Sequence, residues 1–158
     1  MGTDVKRTHR YALTVTWTGN RGEGTRDYRA YGREHEILAA GKPPIPGSSD
    51  PSFRGDASRW SPEELLIASL SACHQLWYLH LCAVNGIVVT AYEDAAEGFM
   101  DENADGTGEF TRVVLHPRVT IGAGDEERAL ALHDDAARYC FVARSVNFEV
   151  AHEATVAV

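Results

Sequence analysis

The sequence predicts an α+β fold in which an antiparallel sheet is wrapped on one long, buried central helix. Helical signals are confined to two segments, and the β-rich segments between them follow one another as hairpins rather than alternating with helices, an order that favours antiparallel pairing. The first helical segment, residues 61–86, is apolar on nearly every face, which predicts burial. No internal repeat or dividing linker interrupts the chain, so we predict one domain over residues 1–158.

The central helix has clear start and stop signals. Ser61 is a favourable N-cap, Pro62 suits the first helical position, and Glu64 completes a capping box. Gly86 provides the stop. About 24 residues lie between these signals, a length of roughly 36 Å at 1.5 Å per residue. One sheet covers only one side of such a helix, so we predict that a second copy of the chain covers the other side in an obligate, two-fold homodimer.

Alternation and turn residues predict the remaining elements. We expect a strand at residues 11–17, and a hairpin partner for it at residues 25–31. The proline-rich segment 41–60 is expected to be a loop without regular structure. Asp125 is expected to cap the second helix. The other expected strands cover residues 35–39, 87–92, 98–101, 110–121, with Pro117 at an edge or bulge, and 145–157.

Composition restricts the classes of function. A net charge of -8 argues against nucleic acid or an anionic membrane as a partner, because both favour a basic face. The polar residues that interrupt the central helix also make it a poor membrane span. The N-terminal segment MGTDVKRTHRY has no apolar core, so we expect no signal peptide and a cytoplasmic location.

The cysteines lie at positions 73, 82 and 140, a spacing that contains no C-x-x-C motif and leaves reactive chemistry or simple burial as the two interpretations. Cys73 and Cys82 fall on opposite faces of the helix. A straight helix cannot bring both of them and His80 to one metal ion, and we expect neither a metal nor a cofactor.

Cysteine-protease chemistry needs only one thiol and a histidine, but its local signatures are absent. A mid-helix thiol needs a nearby cation to ionise, and Arg21 is the candidate.

Three segments resemble one known family. SPEELLIASLSAC, residues 61–73, is similar to the N-P-E-[EQ]-L-x-x-A-x-x-A-C segment of the OsmC/Ohr family, the osmotically inducible and organic-hydroperoxide-resistance proteins. Cys140 falls where that family has its second cysteine, ahead of a last strand with NFEV. The turn WTGNRGEGT resembles the one that carries the family's arginine.

The resemblance implies an OsmC-like intertwined homodimer and a thiol-dependent, peroxiredoxin-like peroxidase that reduces small organic hydroperoxides. Cys73 corresponds to the peroxidatic cysteine, which becomes a sulfenic acid, and Cys140 to the resolving cysteine. Arg21 would favour the thiolate, and Glu63 would hold Arg21 by an ion pair. A dithiol, such as a lipoyl group, would reduce the disulfide.

The chain departs from the family pattern in two places: Phe141 stands where proline is usual, and His74 stands where many members have phenylalanine. Trp77, Tyr78 and Phe141 predict an apolar pocket near the thiols, although core packing explains any one of them equally well. The alternative function is a non-catalytic protein that binds a small ligand, or senses redox state, in the same dimer pocket.

Overall fold

The computed structural model describes residues 6–158. The first five residues of the N-terminal segment, where we expect no signal peptide, lie outside the described part. The chain forms two compact units: an N-terminal unit that ends at Pro62, and a C-terminal unit, Glu63–Val158. The mixture of sheets and two long helices confirms the α+β class.

The N-terminal unit contains an antiparallel three-stranded sheet in the order β1-β2-β3. The strands are β1 (Thr14–Trp17), β2 (His35–Leu38) and β3 (Ile45–Gly47), and a 3-10 helix covers Pro51–Phe53. Trp17 pairs with His35, which pairs on its other side with Gly47. The predicted strand at 11–17 and the short strand at 35–39 are therefore confirmed, each shorter than expected.

Two predictions for this unit were wrong. Residues 25–31 form turns rather than a strand, and β2 takes their expected place beside β1. The reason is Arg33, whose guanidinium donates to the carbonyls of Tyr31 and Tyr28 at 2.6 and 2.7 Å and folds this segment back on itself. The segment 41–60 is not irregular throughout, because β3 lies within it at the edge of the sheet, where Pro46 is tolerated.

The long helix α1 (Pro62–Val84) matches the sequence prediction to within two residues at either end. Glu63 and Glu64 occupy its first turn, where the helix dipole favours carboxylates, and Gly86 follows with φ 73°. Its fully buried residues recur at every fourth position, as Leu70, His74, Tyr78 and Cys82. Among the described residues, α1 is the one helix long and apolar enough to span a membrane, but this stripe belongs to the core of the unit.

Two three-stranded sheets accompany α1, in the orders β4-β7-β9 and β5-β6-β8. Their strands are β4 (Val88–Asp94), β5 (Glu97–Glu102), β6 (Gly108–Leu115), β7 (Pro117–Ala123), β8 (Glu149–His152) and β9 (Thr155–Ala157). The pairs β4-β7 and β5-β6 are antiparallel, as predicted, whereas β8 joins β6 and β9 joins β7 in parallel.

The single strands predicted at 110–121 and 145–157 are each divided. The first breaks at His116 into β6 and β7, which lie in different sheets. Pro117 is the first residue of the central strand β7, a position where its missing N–H is tolerated, rather than an edge or a bulge. The second is divided at residues 153–154 into β8 and β9, and its first residue, Ser145, is the last residue of a 3-10 helix, Ala143–Ser145.

The second helix, α2 (Glu126–Tyr139), begins as predicted, with the Asp125 carboxylate accepting a hydrogen bond from the backbone N–H of Arg128 at 2.6 Å. Its buried stripe is Ala129, Leu132, His133 and Ala136. The three apolar members share one core cluster with Tyr78 and Cys82 of α1 and with Val119 and Ile121, and His133 stacks on Tyr78. A second cluster gathers Leu70 with Val113 and Leu115 of β6. The two helices are thereby fixed to each other, and this positions the cysteines.

Candidate active site

The C-terminal unit brings together Cys73 and Cys140, two residues far apart in the sequence. Cys73 lies at the middle of α1 and is partly exposed, whereas Cys140 lies at the C-cap of α2 and is 1% exposed. Their thiols are near neighbours, since the Cys73 thiol acts on the pKa of the Cys140 thiol, and both are free rather than disulfide-linked. Two free thiols that lie next to each other are the arrangement from which a disulfide can form.

The environment of Cys140 favours its protonated form. Burial raises the pKa of this thiol, and the neighbouring Cys73 thiol raises it further. The backbone N–H of Ala143 donates to the Cys140 sulfur at 3.4 Å, which opposes the shift in part. The partly exposed Cys73 is therefore the thiol more accessible to a substrate, and the buried Cys140 is its protonated neighbour.

A pair of buried histidines lies beside the thiols. His74, the residue after Cys73, is 2% exposed and its Nε2 lies 3.0 Å from Nδ1 of His133, which is 1% exposed. Burial lowers the pKa of His74 to about 4 and that of His133 to about 3, so both rings are neutral near pH 7. The Tyr78 ring stacks on His133 at 3.8 Å, and His133 Nε2 is buried without a hydrogen-bond partner in the described residues.

A third histidine, His152 of β8, completes this cluster. Its Nε2 lies 2.9 Å from the Asp134 carboxylate, and its ring centre lies 5.5 Å from that of His74. His74, His152 and Cys140 line the same cavity of about 10 Å³, whose other walls are apolar. This space is at the lower limit for one water molecule and is far too small for an organic hydroperoxide.

An exposed aromatic surface adjoins the cysteines along both helices. The Trp77 ring stacks on Tyr139 at 5.1 Å and meets Phe141 edge-on at 5.5 Å. Phe141 is 68% exposed and Tyr139 44%. Open clefts of about 270 and 380 Å³ are lined by Trp77 in one case and by Tyr139 and Phe141 in the other. Tyr78, which the sequence analysis grouped with these aromatics, instead lies in the core, where its hydroxyl donates to the Ala129 carbonyl.

Glu63 and Arg21 have no ion pair within residues 6–158. Glu63 is in the first turn of α1, where its Oε2 is buried and has no hydrogen-bond partner among the described residues. Arg21 is exposed, in a turn of the N-terminal unit that Asn20 stabilises by accepting hydrogen bonds from the amides of Gly22 and Gly24. These two roles remain predictions.

The other candidates on α1 have structural surroundings. Cys82 is 1% exposed and lies in the same core cluster as Tyr78. His80 is exposed and packs edge-on against Trp77. Over residues 6–158, no group of three or more His, Cys, Asp or Glu side chains is arranged to hold a metal ion.

The sequence analysis missed His133, Asp134 and His152. Only His133 could have been found from the sequence. It lies on the apolar stripe of α2, where a buried polar side chain needs a hydrogen-bond partner. His152 and Asp134 carry no such signal. Their meeting depends on the parallel pairing of β8 with β6, which the sequence did not predict.

Comparisons with known proteins agree with this architecture. The family model described as OsmC-like protein matches residues 55–155. Among solved structures, an OsmC-like protein of unknown function from Vibrio cholerae is 30% identical, with a TM-score of 0.84 over 93% of this chain and 99% of that one. No curated protein matches the chain.

Two more distant structures share the fold. An organic hydroperoxide resistance protein from Elizabethkingia anophelis is 18% identical, with a TM-score of 0.67 over 96% of this chain and 99% of that one. The organic hydroperoxide resistance protein OhrB of Bacillus subtilis is also 18% identical, with a TM-score of 0.58 over 93% and 98%. From the family match over most of its length, together with the resemblance to the Vibrio cholerae structure, this chain belongs to the OsmC-like family.

Proposed function

We propose that this protein is a thiol-dependent peroxidase that reduces organic hydroperoxides. The observation that carries the proposal is the proximity of the free thiols of Cys73 and Cys140, one partly exposed and one buried. Two adjacent free thiols of unequal exposure suit a reaction in which one attacks and the other resolves. Membership of a family that includes organic hydroperoxide resistance proteins supports the same choice of substrate.

The proposed cycle has three steps. The Cys73 thiolate attacks the O–O bond, takes one oxygen to become a sulfenic acid, and releases an alkoxide that is protonated to the alcohol. The Cys140 sulfur then attacks the Cys73 sulfur, forming a disulfide and releasing water. A dithiol, such as a lipoyl group, reduces the disulfide by exchange and leaves as its own cyclic disulfide.

Arg21 and Glu63 have proposed supporting roles. The guanidinium of Arg21 would stabilise the Cys73 thiolate and the departing alkoxide, because it stays charged at every relevant pH. Glu63 would hold a guanidinium through its buried, unpaired Oε2, a group whose burial is otherwise costly.

We further propose a homodimer and a cytoplasmic location. Leu76 and Val84 of α1 are 67% and 65% exposed in the single chain, and the Trp77 aromatic surface adjoins them. A second copy would cover this face and convert the open clefts at Trp77 and at Phe141 into an enclosed pocket for the hydroperoxide. Reduced cysteines suit the cytoplasm.

The competing function is ligand binding or redox sensing without turnover, which the exposed aromatic surface favours because it would bind an apolar molecule whether or not the thiols react. Stopped-flow measurement of cumene hydroperoxide consumption, with dihydrolipoamide as reductant, separates the two. We expect turnover by the wild type, none by Cys73→Ser, and a single turnover ending at the sulfenic acid for Cys140→Ser. Cys82→Ser, which changes the cysteine outside the pair, is the matched control. Peroxide consumption by Cys73→Ser at the wild-type rate would contradict the proposal.

A further inference from the structure

The disulfide-forming step needs a base, and this inference rests on the proposed peroxidase function. Cys140 must lose its proton before its sulfur can attack the Cys73 sulfenic acid. Its thiol is 1% exposed and its pKa is raised by burial, so bulk water is poorly placed to remove the proton. A side chain that shares the interior space around Cys140 is better placed.

Two of the three nearby histidines are unsuited to this role. His74 and His133 are hydrogen-bonded to each other at 3.0 Å, so each ring has one nitrogen engaged with the other ring. Burial lowers the pKa of both rings to about 4 and 3, which makes them weak bases. His74 does line the cavity beside Cys140, but it would resist becoming charged there.

His152 differs in its partner and in its exposure. Its Nε2 lies 2.9 Å from a carboxylate oxygen of Asp134, which can only accept, so Nε2 carries the hydrogen of the neutral ring. The Nδ1 lone pair is then free, with no hydrogen-bond partner in the described residues. The side chain is 20% exposed, so a proton gained by the ring can pass to solvent, and the carboxylate stabilises the charge. His152 and Cys140 line the same cavity of about 10 Å³.

We propose that His152 is the general base of the resolving step and that Asp134 orients it. Nδ1 of His152 takes the proton of the Cys140 thiol, directly or through one water. The Cys140 sulfur bonds to the Cys73 sulfur, the S–O bond of the sulfenic acid breaks, and the hydroxide leaves as water with a proton from solvent. His152 then returns its proton to solvent, so no reductant or oxidant beyond the hydroperoxide is needed. Attack of Cys73 on the hydroperoxide does not involve His152.

The test separates the two chemical steps. Reduced protein is mixed with one equivalent of cumene hydroperoxide, and samples are quenched over time with a dimedone-type trap for mass spectrometry. For His152→Gln we expect peroxide consumption in the first turnover within about twofold of the wild type, and disulfide formation slowed at least about tenfold, since general bases contribute about 10²–10⁴ in rate. The trapped Cys73 sulfenic acid accumulates accordingly.

A matched control and a milder variant keep the test specific. His116→Gln removes a histidine that is 30% exposed and paired with Glu97 at 3.0 Å, but does not line the cavity, and we expect it to resolve at the wild-type rate. Asp134→Asn changes an 84% exposed carboxylate and leaves the core intact, so it folds even if His152→Gln does not. We expect it to slow resolution by about threefold, because an exposed pair contributes little.

The pH dependence of resolution is a readout that a purely structural role would not change. If His152 takes the proton of Cys140, the pH profile of the disulfide-forming rate should differ between the wild type and His152→Gln. The titratable groups around His152 are Asp134 and His133 from α2, Cys140 at its end, and His74 from α1.

The results distinguish failure of the proposed role of His152 from failure of the proposed peroxidase function. Disulfide formation by folded His152→Gln within twofold of the wild type, with the same pH profile, would overturn the role of His152 while leaving the peroxidase proposal intact. A wild type that neither consumes hydroperoxide nor yields a trapped Cys73 sulfenic acid would overturn both.

Discussion

Acidification from pH 7.5 to 5 should destabilise this protein through the buried His74 and His133 pair. Both rings have a pKa in the folded state below the ordinary 6.5, at about 4 and 3, because burial disfavours their charged forms. Between pH 6.5 and those values the unfolded chain binds protons that the folded protein does not. Stability is therefore full above pH 6.5 and falls as the pH decreases toward 4 and then 3.

The size of the stability loss at pH 5 is set by the pKa of histidine in the unfolded chain. At pH 5 both folded rings are still neutral, so the loss depends only on how far pH 5 lies below the unfolded pKa of 6.5. At 1.36 kcal/mol per pH unit, the loss is about 2 kcal/mol per ring and about 4 kcal/mol for the pair. The lowered pKa values of Asp50, Asp56 and Asp105 act in the same direction, but only below their ordinary 3.8. Their contribution is thus absent at pH 5.

Urea titrations at pH 7.5 and 5, at one protein concentration and in 0.2 M salt, measure this loss directly. His133→Phe should remove about half of the pH dependence, whatever it does to stability at pH 7.5. The control is His9→Asn, because that histidine is exposed in the folded protein as it is in the unfolded chain. A loss below about 1 kcal/mol in the wild type, or an equal reduction by both variants, would refute the reasoning.

Three further changes test the packing of the helices. Leu70→Ala removes a fully buried side chain from the core cluster with Val113 and should lower the free energy of unfolding by about 2–5 kcal/mol, measured in urea. Asp125→Ala removes the N-cap of α2 and should cost about 1 kcal/mol in the same assay, whereas a change below 0.3 kcal/mol would mean that the cap hydrogen bond is unimportant. Leu76→Asp places a charge on the exposed face of α1 and should convert the proposed dimer to a folded monomer in sedimentation experiments, and a dimer of unchanged affinity would exclude this face as the interface.

Sequence patterns located the helices because their signals are local. Ser61 and Gly86 bracket α1, and Asp125 marks the start of α2 through a hydrogen bond that spans three residues. The strand at 25–31 failed because its alternating pattern is overridden by Arg33, whose side chain lies over the rings of Tyr28 and Tyr31 at 4.5 and 4.0 Å. One side chain that binds two carbonyls and packs on two rings does not change the alternation of apolar and polar residues, so the sequence pattern could not reveal it.

The candidate site likewise contains residues that local sequence signals predict and residues that they do not. Cys73 and Cys140 were predicted from residues close to each of them in the chain, and the structure places them near enough for Cys73 to act on the pKa of Cys140. The partners of His74 and Cys140 were not identified, because they depend on which strands pair. β8 brings His152 toward α1 by joining β6 in parallel, with Leu115 opposite His152, and no local pattern in residues 145–157 specifies that choice.

The histidine cluster also explains why the two thiols would divide the work unequally. His74 adjoins Cys73 in the chain, yet as a neutral ring near pH 7 it cannot supply the positive charge that a reactive thiolate needs. That charge must come from a group that burial does not neutralise, which is the property of a guanidinium and the physical reason to retain Arg21 in the proposal. Cys140 would need no such cation in the proposed cycle, because its raised pKa favours the protonated thiol before the sulfenic acid forms. In the proposed cycle, a neutral interior would thus protect Cys140 from attacking peroxide itself, and would make the deprotonation of Cys140 the step at which the protein must provide a base.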